Sequence, residues 1–191
     1  MKIDSEGWCD AARRVASPFF NERPNSEISL VVVHNISLPA GEFGTGCVED
    51  LFKGCLDCSR HETFADLEGL HVSSHFYIDR SGALTQFVSC AERAWHAGVS
   101  TFEGRENCND FSVGIELEGS DYVPFEEAQY RTLRELTEAL AEAYPIAAVV
   151  GHSDIAPGRK TDPGPFFEWD RLKEGNELKN SLVTVRYPFV K

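Results

Sequence analysis

The chain alternates short apolar runs with long irregular stretches. Ile28 to Val33 is nearly continuous and β-branched, and it is closed by His34-Asn35; this predicts a strand buried on both faces with His34 at its end. His75 to Ile78 and Ala83 to Val88 flank the turn Asp79-Arg80-Ser81-Gly82, the pattern of a β-hairpin. Phe111 to Leu117 alternates Phe, Val, Ile and Leu with Ser, Gly and Glu, so it predicts a strand with its apolar side inward and Glu116 facing away from Ile115 and Leu117. Ala147 to Val150 is a further short strand, followed by Gly151-His152.

One helix is clear. From about Glu126 to Tyr144, Ala128, Leu133, Leu136, Leu140 and Ala143 recur at helical intervals, an acidic first turn suits the helix dipole, and Pro145 stops the run. Gly41 to Gly69 has no sustained period and predicts a long loop with a short helix near Val48 to Lys53, while the prolines and glycines of Asp154 to Pro165 predict a fixed loop without regular structure. The more polar tail, residues 172–191, holds a candidate last strand at Leu182 to Tyr187. With no internal repeat, strands interspersed with helices predict one mixed α/β sheet, and 191 residues suit a single domain with one core, 1–191.

Eighteen basic against 31 acidic residues leave a formal charge of −13, which argues against nucleic acid and against anionic membrane surfaces as partners. The first residues lack the apolar core of an export signal, and no apolar run is long enough to span a bilayer. A cytoplasmic, monomeric protein is the expectation, with its six cysteines reduced.

His34 and His152 both follow buried strands, the position where ligand sites form in α/β sheets. Asp162 comes ten residues after His152, in a proline-braced loop. Two histidines and an aspartate make three zinc ligands and leave one position open, the feature of a catalytic site; such an ion acidifies water and polarises a carbonyl. Glu116 is the candidate general base, and Lys160 the candidate partner of a developing oxyanion. Spacing alone is weak support, since no His-Glu-x-x-His motif is present and each histidine also reads as a strand-end residue bonded to a neighbour.

Longer blocks add to this. Val32 to Pro39, Arg93 to Gly98, Cys108 to Gly119, Gly151 to Pro157 and Lys160 to Pro165 resemble, in the same order, the zinc amidase and peptidoglycan-recognition-protein family, and within it the cytoplasmic amidases of cell-wall recycling. The resemblance runs from about Gly7 to Trp169. It implies a central mixed sheet flanked by helices and cleavage of the amide between the lactyl group of 1,6-anhydro-N-acetylmuramic acid and L-alanine in small anhydromuramoyl peptides. Carried over, the zinc ligands fall on His34, His152 and Asp162, the base on Glu116 and the catalytic lysine on Lys160, while Asn35, Trp95 and His96 match the substrate cleft.

His71 and Asn107 stand where relatives carry arginines that can meet peptide carboxylates, and Thr63 where an aromatic often sits; Arg105 is the candidate replacement contact. Cys47, Cys55 and Cys58 with His61 form a candidate structural zinc site, and His75 reads as core or as support for a ligand. Two other functions fit the same family: a peptidoglycan-binding module that does not cut, and an amidase acting on intact wall.

Overall fold

The computed structural model describes residues 1–173. The candidate strand at Leu182 to Tyr187 lies outside them. Ten strands are present: β1 Arg13–Arg14, β2 Phe20–Glu22, β3 Leu30–Ile36, β4 Phe76–Ile78, β5 Leu84–Gln86, β6 Glu92–Ala94, β7 Thr101–Phe102, β8 Arg105–Glu106, β9 Ser112–Glu118 and β10 Ala148–Gly151. The α-helices are α1 Cys47–Phe52, α2 Glu127–Ala143, α3 His152–Ile155 and α4 Asp170–Lys173.

Six strands form one mixed sheet in the order β1-β5-β4-β9-β3-β10. β4, β9, β3 and β10 run parallel, and β5 turns back antiparallel on β4 as the hairpin pattern predicts. The fold is therefore the expected mixed sheet with helices.

Alternation along the parallel strands decides which side chains meet. β3 and β9 pair Leu30 with Ser112, Val32 with Gly114 and His34 with Glu116, while β10 sets Ala148 beside Leu30 and Val150 beside Val32. Residues two apart share a face, so His34 and Glu116 stand on the face of Leu30 and Val32. The other face carries Val31, Val33, Ile115 and Leu117 and packs with Leu133, Leu136 and Leu140 of α2 in the main core. Truncating any of these buried leucines to alanine costs about 2–5 kcal/mol. Gln129 fixes α2 to the sheet: its Oε1 accepts the Glu126 amide, and its Nε2 donates to the carbonyls of Ile78 and Glu118.

Three expectations change. His34 lies inside β3 rather than after it, because the ladder with β9 continues to Ile36–Glu118. β9 is buried at every position, not on one face, since histidines and loops cover its Ser112, Gly114 and Glu116 side. The stretch predicted as irregular from Asp154 begins inside the single helical turn α3. Among the described residues no helix is long and apolar enough to cross a membrane.

Candidate active site

The site forms at the carboxyl ends of β3, β9 and β10. His34 Nδ1, His152 Nδ1 and Asp162 Oδ2 make a triangle with sides of 3.0, 2.9 and 3.1 Å. Among the described residues it is the group of histidine, cysteine and acidic side chains that could hold a metal ion. Both histidines are buried, and the carboxylate closes the triangle from the loop after α3, where the Ser153 amide donates to the Asp162 carbonyl at 2.9 Å.

The outer ring nitrogens fix the tautomers. His152 Nε2 donates to the Ala97 carbonyl at 3.0 Å, which leaves the Nδ1 lone pair facing the triangle. His34 Nε2 meets His96 Nδ1 at 3.0 Å, and His96 Nε2 meets Ser112 Oγ at 3.2 Å; read as a chain of donors toward Ser112, this also turns the lone pair of His34 Nδ1 inward. Two lone pairs and a carboxylate oxygen about 3 Å apart repel one another unless a cation lies between them. Zinc ligands at about 2.0–2.1 Å and tetrahedral angles stand about 3.3 Å from each other, so the residues fit that ion.

Glu116 lies beside the triangle. Its Oε1 is 4.0 Å from His34 Nδ1, and its buried Oε2 has no hydrogen-bond partner. Burial raises its pKa well above the ordinary carboxylate range, Asp162 adds to the rise, and the Lys160 charge opposes it. For Asp162 burial also acts upward, but the adjacent rings of His152 and His34, when protonated, prevail and hold its carboxyl far below the usual range. Burial pulls His34 down, against the negative charge of Asp162.

Lys160 is exposed and lines an adjoining cleft of about 340 Å³ together with Asn35, Tyr122 and Asp162. Asn35 faces this cleft, but its Nδ2 donates to Asp121 Oδ1 at 2.8 Å and to the Pro163 carbonyl at 3.0 Å, so it also braces the loop that carries Asp162.

The ring of His96 lies against Gly114, where a Cβ would approach within 2.5 Å, and its Nδ1 meets His34 Nε2, so it supports the ligand ring. Trp95 donates from Nε1 to Asn21 Oδ1 at 2.7 Å and stacks on Phe19. Arg105 forms a bidentate pair with Glu27 and lies over the Phe111 ring, near the amino end of β3 and four residues back from His34. It lines a different pocket from the cleft of Lys160 and Asp162.

The cysteine site does not assemble. Cys47 is buried in the first turn of α1, Cys55 Sγ donates toward Asp50, Cys58 Sγ toward the Leu56 carbonyl, and His61 caps its own turn through Thr63. His71 stacks on Phe19 with centroids 4.8 Å apart, and Asn107 is an exposed residue in the left-handed backbone region. His75 is core, as expected: its Nδ1 accepts the Gly114 amide and its Nε2 donates to the Glu92 carbonyl.

Two contributors carry no sequence signal of their own. Arg23 is half-buried beside His75, donating to the carbonyls of Cys90, Asn109 and Ser112, and desolvation lowers its pKa to about 10. Arg159 donates to the carbonyls of Ala97 and Val99 at 2.8 and 2.6 Å, and so grips the acceptor that orients His152.

A mixed sheet whose parallel strand ends present two histidines, an aspartate and an unpartnered buried glutamate defines a hydrolase with a candidate metal centre. Residues 24–165 match the N-acetylmuramoyl-L-alanine amidase family, Amidase_2. The chain is 53% identical over 176 residues to the 1,6-anhydro-N-acetylmuramyl-L-alanine amidase AmpD of Citrobacter freundii, covering 91% of this chain and 94% of that protein. A crystal structure of a selenomethionine AmpD derivative matches with a TM-score of 0.88 and 52% identity, over 91% of this chain and 98% of that one. The Escherichia coli amidase AmiD, in complex with the substrate anhydro-N-acetylmuramic acid-L-Ala-D-γ-Glu-L-Lys, matches with a TM-score of 0.58 and 32% identity, over 90% and 64% of the two chains. The chain belongs to the N-acetylmuramoyl-L-alanine amidase family, and its likeness to AmpD extends over most of its length.

Proposed function

We propose that the protein is a zinc-dependent amidase of the cytoplasm that cuts the amide between the lactyl group of 1,6-anhydro-N-acetylmuramic acid and L-alanine in small muropeptides during peptidoglycan recycling. The observation that carries this is the convergence of His34, His152 and Asp162 beside the unpartnered Glu116 Oε2, in a chain of this family. The names of the AmpD relatives supply the substrate, and the AmiD complex supports an anhydromuramoyl peptide as the class of ligand.

His34, His152 and Asp162 would hold the ion. When bound, zinc supplies a Lewis acid that acidifies water and draws charge from the substrate carbonyl. Glu116 takes the proton of the attacking water at its free oxygen as the new C–O bond forms. Lys160 places positive charge beside the oxyanion that develops on the lactyl carbonyl. When the C–N bond breaks, Glu116 returns the proton to the leaving amine, releasing a peptide with a free L-alanine amino terminus and a lactyl carboxylate. His96, Ala97 and Arg159 keep the ligand rings in place throughout.

The complete set of His34, His152, Asp162, Glu116 and Lys160 speaks against a binding module that does not cut. The test is a digest of purified anhydromuramoyl tripeptide with metal-free and zinc-loaded protein, read by mass spectrometry. Free tripeptide should form only with zinc; release without metal, or none in either state, would overturn the proposal.

A further inference from the structure

Val99 and Tyr122 are the most exposed large apolar side chains among the described residues, each 85% exposed. Single exposed apolar residues are common and need no explanation, but both of these sit on segments tied to the metal-ligand loops. The Val99 carbonyl is held by Arg159. Tyr122 lies in a tight turn whose placement is fixed from two sides.

Ser120 and Val123 close that turn with an antiparallel bridge, and the Tyr122 amide donates to Ser120 Oγ at 3.3 Å. The preceding Asp121 accepts from Asn35, the neighbour of His34, at 2.8 Å. It also packs on Gly164, two residues past Asp162, so closely that a Cβ there would lie 2.4 Å from Asp121 Oδ1. The turn is thus anchored to both β3 and the Asp162 loop. It presents the ring at the cleft of about 340 Å³ that Asp162 and Lys160 also line.

The scissile amide divides the substrate into an uncharged sugar half and a peptide half bearing carboxylates. The cleft suits the first. Its lining has the hydroxyls of Ser37, Ser120 and Thr161, the carboxylates of Asp121 and Asp162 and the Lys160 side chain, while Arg159 donates to backbone carbonyls rather than into open space. Carboxylates would meet Asp121 and Asp162 as like charges, with Lys160 opposing them; hydroxyls and an N-acetyl group would meet donors and acceptors. The C–H face of a pyranose carries slight positive charge and lies well on the negative face of an aromatic ring.

We propose that Tyr122 is the platform on which the sugar of the anhydromuramoyl unit stacks, making the cleft between Tyr122 and Asp162 the sugar subsite. The proposal rests on the amidase reading above. It assigns Tyr122 a part in substrate selection that is separable from bond cleavage.

The test compares kcat/KM of the zinc-loaded enzyme on anhydromuramoyl tripeptide and on a D-lactoyl tripeptide that lacks the sugar. The ratio of the two values measures what the sugar contributes. In Tyr122→Ala the ratio should fall about five- to tenfold, the scale of one aromatic stacking contact, and in Tyr122→Phe it should stay within about twofold of wild type. An unchanged ratio in Tyr122→Ala overturns the platform, and so does an equal loss in Tyr122→Phe, which would assign the effect to the hydroxyl. Tyr122→Leu gives the same comparison if the alanine variant does not fold. If zinc-loaded wild type cleaves neither substrate, the amidase reading itself fails and the platform falls with it.

Discussion

His34 and Glu116 are register partners on neighbouring parallel strands, with Nδ1 and Oε1 4.0 Å apart. A candidate ligand and a candidate base are therefore spaced by the backbone ladder itself, not by a mobile loop. This separates holding a metal from moving a proton, and the two can be tested apart.

Glu116→Ala should keep zinc and lose activity. Removing a general base lowers turnover by about two to four powers of ten. Metal content and steady-state rates on anhydromuramoyl tripeptide check this together; normal turnover would remove Glu116 from the mechanism.

Asp162→Ala should lose metal and activity at once, because two neutral imidazoles remain to hold a divalent ion. Metal binding to the folded form raises stability, so added zinc should raise the melting temperature of wild type and leave that of the variant nearly unmoved. Full zinc occupancy in Asp162→Ala would contradict the ligand set.

Arg159→Ala should weaken zinc binding without touching a ligand. Its guanidinium and His152 Nε2 share the Ala97 carbonyl, and loss of such supporting contacts costs about 10- to 100-fold in metal affinity. Chelator competition measures the change, and an unaltered affinity would limit Arg159 to holding the 97–99 segment.

Stability should decline in acid partly through His75. Burial, with the Arg23 charge next, lowers its pKa to about 3 in the folded protein, against about 6.5 in the unfolded chain. Between those values the unfolded state binds the extra proton, so this contribution is intact above about pH 6.5 and is lost as pH falls toward 3, at about 1.4 kcal/mol per unit. Urea melts from pH 7 to 4 should show a shallower decline in His75→Gln than in wild type.

Metal analysis should find one zinc per chain, and Cys55→Ser with Cys58→Ser should leave that count unchanged. A second equivalent lost in the double variant would revive the cysteine site.

The alternation of β9 and the apolar run of β3 made the His34–Glu116 face legible, since residues two apart on a strand share a side. The support that His96 gives to His34 was less legible, because His96 adjoins Trp95 in a block resembling a cleft. The available signal was Gly114: a glycine inside an otherwise apolar strand marks a close approach, and the ring of His96 fills that space. The pairing of Arg105 with Glu27 was not legible because the two are 78 positions apart. Arg23 and Arg159 act on backbone carbonyls, which leave no mark in side-chain spacing.

His34 and Asp162 meet across 128 positions of chain. Synthesis proceeds from the amino end, so a nascent chain can build β3, the hairpin and β9 while its third ligand is still inside the ribosome. The centre closes only after Asp162 has emerged and its loop has docked. Every newly made molecule is thus inert until most of its length has been translated, and a truncated product ending before that loop would lack the third ligand and with it the centre.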